Sequence, residues 1–180
     1  MNSNGIVFGY MSAICPEGEA KERAALEKEQ LYSVVNYQYP SYKSLGHITI
    51  ERFEADEELL TWRRDRLRTF ASEMSRQVLI FNAFNWFDNS RTIFVAPDAK
   101  SKLWLKNMGD VYSESVAPIV RFNPHLTVGR GIAPHLFEKA KEFFADKPVN
   151  ISFNCTNIAL RRFNSARRQF DVVERFYFGG

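Results

Sequence analysis

Two short stretches carry residue types able to do chemistry. Gly46-His47-Ile48-Thr49-Ile50-Glu51-Arg52 and Pro124-His125-Leu126-Thr127-Val128-Gly129-Arg130 share one pattern: His, aliphatic, Thr, aliphatic, any residue, Arg. They lie 78 residues apart and use two of the three histidines in the chain. In sequences of ordinary composition, chance gives His-aliphatic-Thr-aliphatic at two of three histidines on the order of once in a hundred thousand. Histidine, with an unperturbed pKa of about 6.5, is both a usable base and a usable acid near neutral pH. Side chains alternate across a strand, so His47 and Thr49 share one face while Ile48 and Ile50 take the other. His125 with Thr127, and Leu126 with Val128, divide in the same way. Two such strands facing one another would converge two imidazoles and two hydroxyls. That arrangement suits a phosphodiester. One neutral imidazole takes a proton from the nucleophile, and the other, protonated, gives one to the leaving oxygen. The threonine hydroxyls donate to non-bridging oxygens as charge develops.

The elements that would position these strands repeat with them. An apolar stretch from Gly5 to Ile14, bounded by Pro16, reads as a buried strand. Ala, Glu, Lys and Leu then predict a helix from Glu17 to about Tyr37, which Pro40 forbids from continuing. Gly46 to Phe53 is the first motif strand. Asp56 caps a helix to about Met74, with Glu57 and Glu58 well placed in its first turn. Gln77 to Phe87 and Arg91 to Ala96 form a hairpin about a turn at Asp88-Asn89-Ser90. The second half retraces this path. Asp98 caps a helix to about Val116, Pro124 leads into the second motif strand, and Pro134 opens a helix to about Asp146. Val149 to Leu160 reads as one strand, Asn164-Ser165 as a turn and Arg167 to Phe178 as the last strand. The expected fold is α+β: a single bilobal domain of two pseudo-repeated lobes, about 17–96 and 98–178, plus the first strand. Two antiparallel sheets would flank a central cleft about a pseudo-twofold axis, with helices outside.

Composition narrows the partners. At 180 residues the chain can bury a substantial core, and hydrophobic and charged fractions of 45% and 25% are those of a soluble globular protein. A net charge of +3 does not by itself call for nucleic acid, and it does not oppose an anionic ligand. Cys15 and Cys155, isolated among apolar neighbours, read as reduced and buried. No amino-terminal stretch resembles a signal peptide and no apolar run reaches membrane-spanning length, so a cytoplasmic protein with no membrane partner is expected. A monomer is expected. Two histidines without a third ligand at metal spacing are too few for a closed zinc site, so neither metal nor cofactor is expected.

The twin His-x-Thr-aliphatic motifs resemble the two-histidine (2H) phosphoesterase superfamily, in particular its RNA 2',3'-cyclic phosphodiesterase and 2'-5' RNA ligase-like branch. Pro124 to Arg130 is especially similar to that branch's second motif, whereas Glu51-Arg52-Phe53-Glu54 departs from the commoner Lys-Phe-Leu-Gly-like continuation of the first. The resemblance implies metal-independent cleavage of 2',3'-cyclic or 2'-5' linkages, on RNA ends or small nucleotides. It also implies roles: His47 as general acid, His125 as the base that activates water, and Thr49 and Thr127 as phosphate holders. The alternative is a non-catalytic module that uses the same cleft to hold an RNA end or a phosphonucleotide.

Other residues carry weaker signals. Arg52 and Arg130 recur at the motif offset, and Arg130 is the substrate-binding candidate, although a residue five beyond the histidine falls on the aliphatic face unless the strand bulges. Tyr10, Tyr42 and Phe122 are candidates to stack a base, Tyr10 first. Arg63, Arg64, Arg66 and Arg68 read as a solvated helix face, Arg161, Arg162, Arg167 and Arg168 as the flanks of a soluble hairpin tip, and His135 as a surface or capping residue.

Overall fold

A computed structural model describes residues 6–119 and 122–180. Gly5, the first residue of the expected opening strand, lies outside the described residues. The element order is β1 (Phe8–Ile14), α1 (Gly18–Val35), β2 (Ile48–Ala55), α2 (Glu57–Glu73), β3 (Gln77–Phe87), β4 (Thr92–Pro97), α3 (Ala99–Ser115), β5 (Leu126–Gly129), α4 (Pro134–Ala145), β6 (Ile151–Cys155), β7 (Asn157–Asn164) and β8 (Gln169–Tyr177). The fold is α+β, with the strands in two antiparallel four-stranded sheets ordered β2-β1-β7-β8 and β5-β4-β3-β6. Each motif strand lies at the edge of its own sheet.

Local chemistry sets the boundaries. The Asp56 and Asp98 side chains accept from Leu59 N (2.9 Å) and Ser101 N (2.7 Å), closing the first turns of α2 and α3 as N-caps. Pro134 opens α4, where its missing N–H removes no intrahelical bond. The hairpins β3–β4 and β7–β8 turn through 88–91 and 165–168, and each ends on an arginine of positive φ: 45° at Arg91 and 52° at Arg168. In the second, Asn164 Oδ1 accepts from the amides of Ala166 and Arg167, so the turn is held by a side chain.

The expected halves do not coincide with the sheets. Val149 to Leu160 is broken at Thr156: Ile151–Cys155 pairs with β3 in one sheet, and Asn157–Asn164 pairs with β1 in the other. Ile151–Cys155 alternates apolar and polar residues and Asn157–Asn164 opens on the apolar run Ile-Ala-Leu, both ordinary strand patterns, so hydrophobic pattern does not say that the partner changes. One sheet is therefore built from β1, β2, β7 and β8, drawn from both ends of the chain, and the other from its middle. The helices interlace likewise. From the first half, α1 lies against β5 and β6, whereas α2 backs β2 and β8.

The core behind the β2 sheet holds a polar knot. Tyr112 of α3 places its hydroxyl 2.9 Å from Glu51 Oε2 and 3.0 Å from Ser12 Oγ. With one proton to give, it donates to the carboxylate and accepts from the serine. Arg63 of α2 pairs with Glu51 at 3.2 Å, both side chains about seven-eighths buried. Arg63 and Arg64, which pairs with Glu174 at 3.0 Å, thus tie α2 to the sheet instead of forming a solvated face.

Candidate active site

The strand alternation expected of the motifs is present. Ile48, Ile50, Leu126 and Val128 are at most 4% exposed, while His47, Thr49, His125 and Thr127 are half-buried. Each histidine immediately precedes its strand. The two motifs meet across the molecule: a Cβ on Gly46 would lie 3.0 Å from Ala24 Cβ and 3.5 Å from Leu126 Cδ1, so the residue before His47 sits beside the residue after His125. The buried Lys28 of α1 fastens them further. Its ammonium donates to Val128 O (3.1 Å) of the second motif and to Ser41 O (3.1 Å), without a carboxylate partner among the described residues. It is also one of the cations that act on His47. Burial lowers the Lys28 pKa to about 8.

Both histidines are oriented alike. Nδ1 of His47 lies 2.7 Å from Leu45 O, and Nδ1 of His125 lies 2.7 Å from Asn123 O. A carbonyl oxygen only accepts, so Nδ1 carries the hydrogen in both rings. Nε2 is left as a bare acceptor in the neutral ring and a donor in the imidazolium. Desolvation pushes both pKa values down. For His47 the positive charges of Arg161, Lys28 and Arg52 add to it, and the value falls to about 3. His125 has aromatic company instead: Phe87 edge-on and Phe94 tilted, both 5.1 Å between centroids. The substrate-free site thus presents two neutral imidazoles. An anion held beside them offsets these cations and raises the pKa.

A matched pair of bulges overturns the parity objection to the arginines. Opposite β1, Thr49 pairs with Ala13 and Glu51 with Ser12, which leaves Ile50 unpaired. Opposite β4, Thr127 pairs with Phe94 and Gly129 with Ile93, which leaves Val128 unpaired. Ile50 and Val128 are equivalent motif positions. The extra residue reverses the alternation. Glu51 consequently turns to the back face and into the Tyr112 knot, and Arg52, opposite Met11, returns to the face of Thr49. The Arg52 guanidinium lies 5.5 Å over the Phe170 ring, on that face. At Gly129 the reversal points the missing side chain at α1: a Cβ would meet Leu31 Cδ2 at 2.1 Å, so only glycine fits. Arg130 follows one residue beyond β5, exposed, with its amide bonded to Ser41 Oγ at 2.9 Å. Burial and the charges of Arg130 and Arg161 lower the Arg52 pKa, which places three cations near one another. Among the described residues, none of the three forms an ion pair with a carboxylate.

The register identifies site-face residues that local reading misses. Arg161 pairs with Met11 and Val172, and Phe163 pairs with Phe170, so all lie on the face of Thr49 and Arg52. Arg161 is 3% exposed, not a flank of the solvated tip formed by Arg167 and Arg168. Phe163 is 43% exposed with its ring 5.2 Å from that of Phe170. Tyr10 is a correction. It pairs with Phe53 on the back face, stacks on it at 5.7 Å and is 4% exposed, so it belongs to the core. Tyr42 is tied to Glu29 at 3.0 Å, and Phe122 packs over Gly109. His135 is exposed on the first turn of α4, as expected. Both cysteines are free, Cys155 buried and Cys15 half-buried.

The model of the 2'-5' RNA ligase superfamily matches residues 19–167, which span both motifs and every element but β1 and β8. The chain belongs to the 2'-5' RNA ligase superfamily. Membership in this group of 2H phosphoesterases gives the class of chemistry as phosphodiesterase or ligase-like. Solved structures with the same fold include E. coli LigT complexed with NADP+, at 17% identity and a TM-score of 0.71, covering 97% of this chain and 100% of that one. LigT complexed with 3'-AMP matches at 16% identity and a TM-score of 0.69, with the same coverage. TT0787 of Thermus thermophilus matches at 18% identity and a TM-score of 0.63, covering 96% of this chain and 98% of that one. No curated protein matches the chain in sequence. Among the described residues of this superfamily member, no helix is long and apolar enough to cross a membrane.

Proposed function

We propose that the protein is a phosphodiesterase that opens 2',3'-cyclic phosphates, or cleaves 2'-5' linkages, at RNA ends or on small nucleotides. His47 and His125 are its acid and base. The observation that carries this reading is the repeated Nδ1–carbonyl bond, which leaves Nε2 of both imidazoles free for proton transfer in the shared cleft. Arg52 and Arg130 supply charge for the phosphate, and Thr49 and Thr127 supply hydroxyl donors. The Phe163–Phe170 pair offers a base the stacking surface that Tyr10 does not. That LigT, which shares the fold, was crystallised in complex with 3'-AMP supports a nucleotide as the ligand.

With both rings neutral in the free site, the incoming phosphate creates the acid. His47 lies where the cations gather, so an anion there relieves its pKa most, and it gives its proton to the leaving 2' or 3' oxygen. His125 remains neutral and draws the proton from water as that water attacks phosphorus. The P–O bond to the leaving oxygen breaks as the new one forms, and the proton taken by His125 balances the one lost by His47. Incubation with 2',3'-cyclic AMP should give a single adenosine monophosphate isomer at a rate unaffected by chelator. The His47→Ala/His125→Ala double variant serves as blank. A rate in that variant equal to the native one would sink the proposal, and tight binding without product would favour the non-catalytic alternative.

A further inference from the structure

We propose that the cavity behind His47 is a second phosphate subsite, holding the 5'-phosphate of a nucleotide whose cyclic phosphate lies between the histidines. The inference rests on the proposed nucleotide phosphodiesterase reading and gives it a substrate preference. The cavity, about 200 Å³, is lined by Leu45 and Gly46, immediately before His47, and by Cys15, Lys21, Arg161 and Arg175. It continues the site face, because Arg161 and Arg175 project from β7 and β8 on the side of Ala13 and Thr49.

Three features give it the chemistry of an anion site. Arg161 is 97% buried and gives Nε and Nη2 to Phe170 O, at 3.0 and 2.6 Å, but its Nη1 is buried with no oxygen acceptor, the weakly accepting Cys15 thiol of the cavity wall being its only polar company. A buried guanidinium nitrogen without an acceptor is costly unless something supplies one. The amino end of the 18-residue helix α1 also borders the cavity, and the N-cap residue Glu17 makes no side-chain capping bond. The Glu17 side chain thus leaves the first-turn amides uncapped, and the helix dipole favours an anion there. Finally, the charges do not balance. Among the lining residues, Lys21, Arg161 and Arg175 meet a single carboxylate, Glu17, already paired with Arg175 at 3.1 Å, while Asp171 acts on Arg161 from outside the wall. The pocket keeps a surplus of positive charge for a ligand. For a nucleotide bound by its cyclic phosphate, the next phosphate along the backbone is one ribose away, at its 5' oxygen.

The test compares adenosine 2',3'-cyclic phosphate carrying a 5'-phosphate with the same compound carrying a 5'-hydroxyl. The native protein should show a KM lower by roughly tenfold or more for the phosphorylated form, the worth of one or two charge-assisted contacts. Lys21→Glu, a change at an exposed residue, should bring the ratio of KM values near one while leaving kcat and KM for the 5'-hydroxyl substrate unchanged. Arg161→Gln should do the same to the ratio, with thermal melting as the check on folding. Equal KM values in the native protein, or a ratio that survives Lys21→Glu, would overturn the subsite. If neither cyclic compound is hydrolysed, the activity reading fails but the subsite is still decided by titration calorimetry. Adenosine 3',5'-bisphosphate should bind more tightly than adenosine 3'-monophosphate, and Lys21→Glu should remove the difference. Equal affinities, or a difference that Lys21→Glu leaves in place, would overturn it.

Discussion

The two motif strands are alike in backbone and in what faces the cleft, and unlike in what surrounds them. Each sets a histidine with Nδ1 on a backbone carbonyl two residues back, then a threonine, an unpaired aliphatic residue and an arginine. Around His47 the neighbours are Arg161, Lys28 and Arg52, whereas around His125 they are Phe87 and Phe94. Behind the bulges, Glu51 joins a buried polar knot where Gly129 presses bare backbone against α1. A duplicated site needs symmetry only where it meets the ligand. Divergence behind that surface is what can make one histidine an acid and the other a base.

Breaking either histidine should have the largest effect. His47→Ala and His125→Ala should each lower kcat by about 10²–10⁴-fold. The difference between them lies in pH: loss of the acid flattens the alkaline limb of the rate profile, and loss of the base flattens the acidic limb. An alkaline limb that persists in His47→Ala and disappears in His125→Ala would exchange the two roles. Glu51→Ala comes next. It leaves the buried Arg63 without its carboxylate and should cost about 3 kcal/mol in denaturant unfolding, with the cleft face unchanged. Native-like stability would show that the knot is not what anchors β2. Gly129→Ala drives a methyl group into Leu31 and should cost about 1–3 kcal/mol by the same measurement. A neutral result would mean that α1 yields there.

The smallest effect concerns acid stability. His47 in the folded protein takes its proton only near pH 3, whereas in the unfolded chain it does so near its usual value of about 6.5. Between those values the unfolded chain binds more protons, so stability rises with pH and is lost on acidification through the window. His47→Gln should therefore lose less stability than the native protein between about pH 6.5 and 4. Parallel curves would show that the imidazole is not desolvated in the folded state.

Much of this is legible in the residues. Every helix and the hairpin turns follow from capping residues, prolines and composition, and the motif alternation follows from local period. What local pattern does not carry is register. The bulges that return Arg52 and Arg130 to the site depend on which partner strand skips a residue, and nothing in Ile50 or Val128 marks them. Arg161 looks like any arginine near a turn until β1 is laid beside β7. Tyr10 falls on the wrong side for the same reason: its face is decided by pairing with Phe53, not by its own neighbours.

The crossing at Thr156 has a consequence for how the protein forms. β1 pairs on one side with β2, a nearby segment, and on the other with β7, where Tyr10 meets Arg162 and Met11 meets Arg161. The second pairing closes a loop of nearly the whole chain, and such non-local contacts slow the search for the native state. On a ribosome, both histidine motifs emerge before the strand that carries Arg161. A nascent chain would hold both histidines early and acquire the buried Arg161 only when the last hairpin docks.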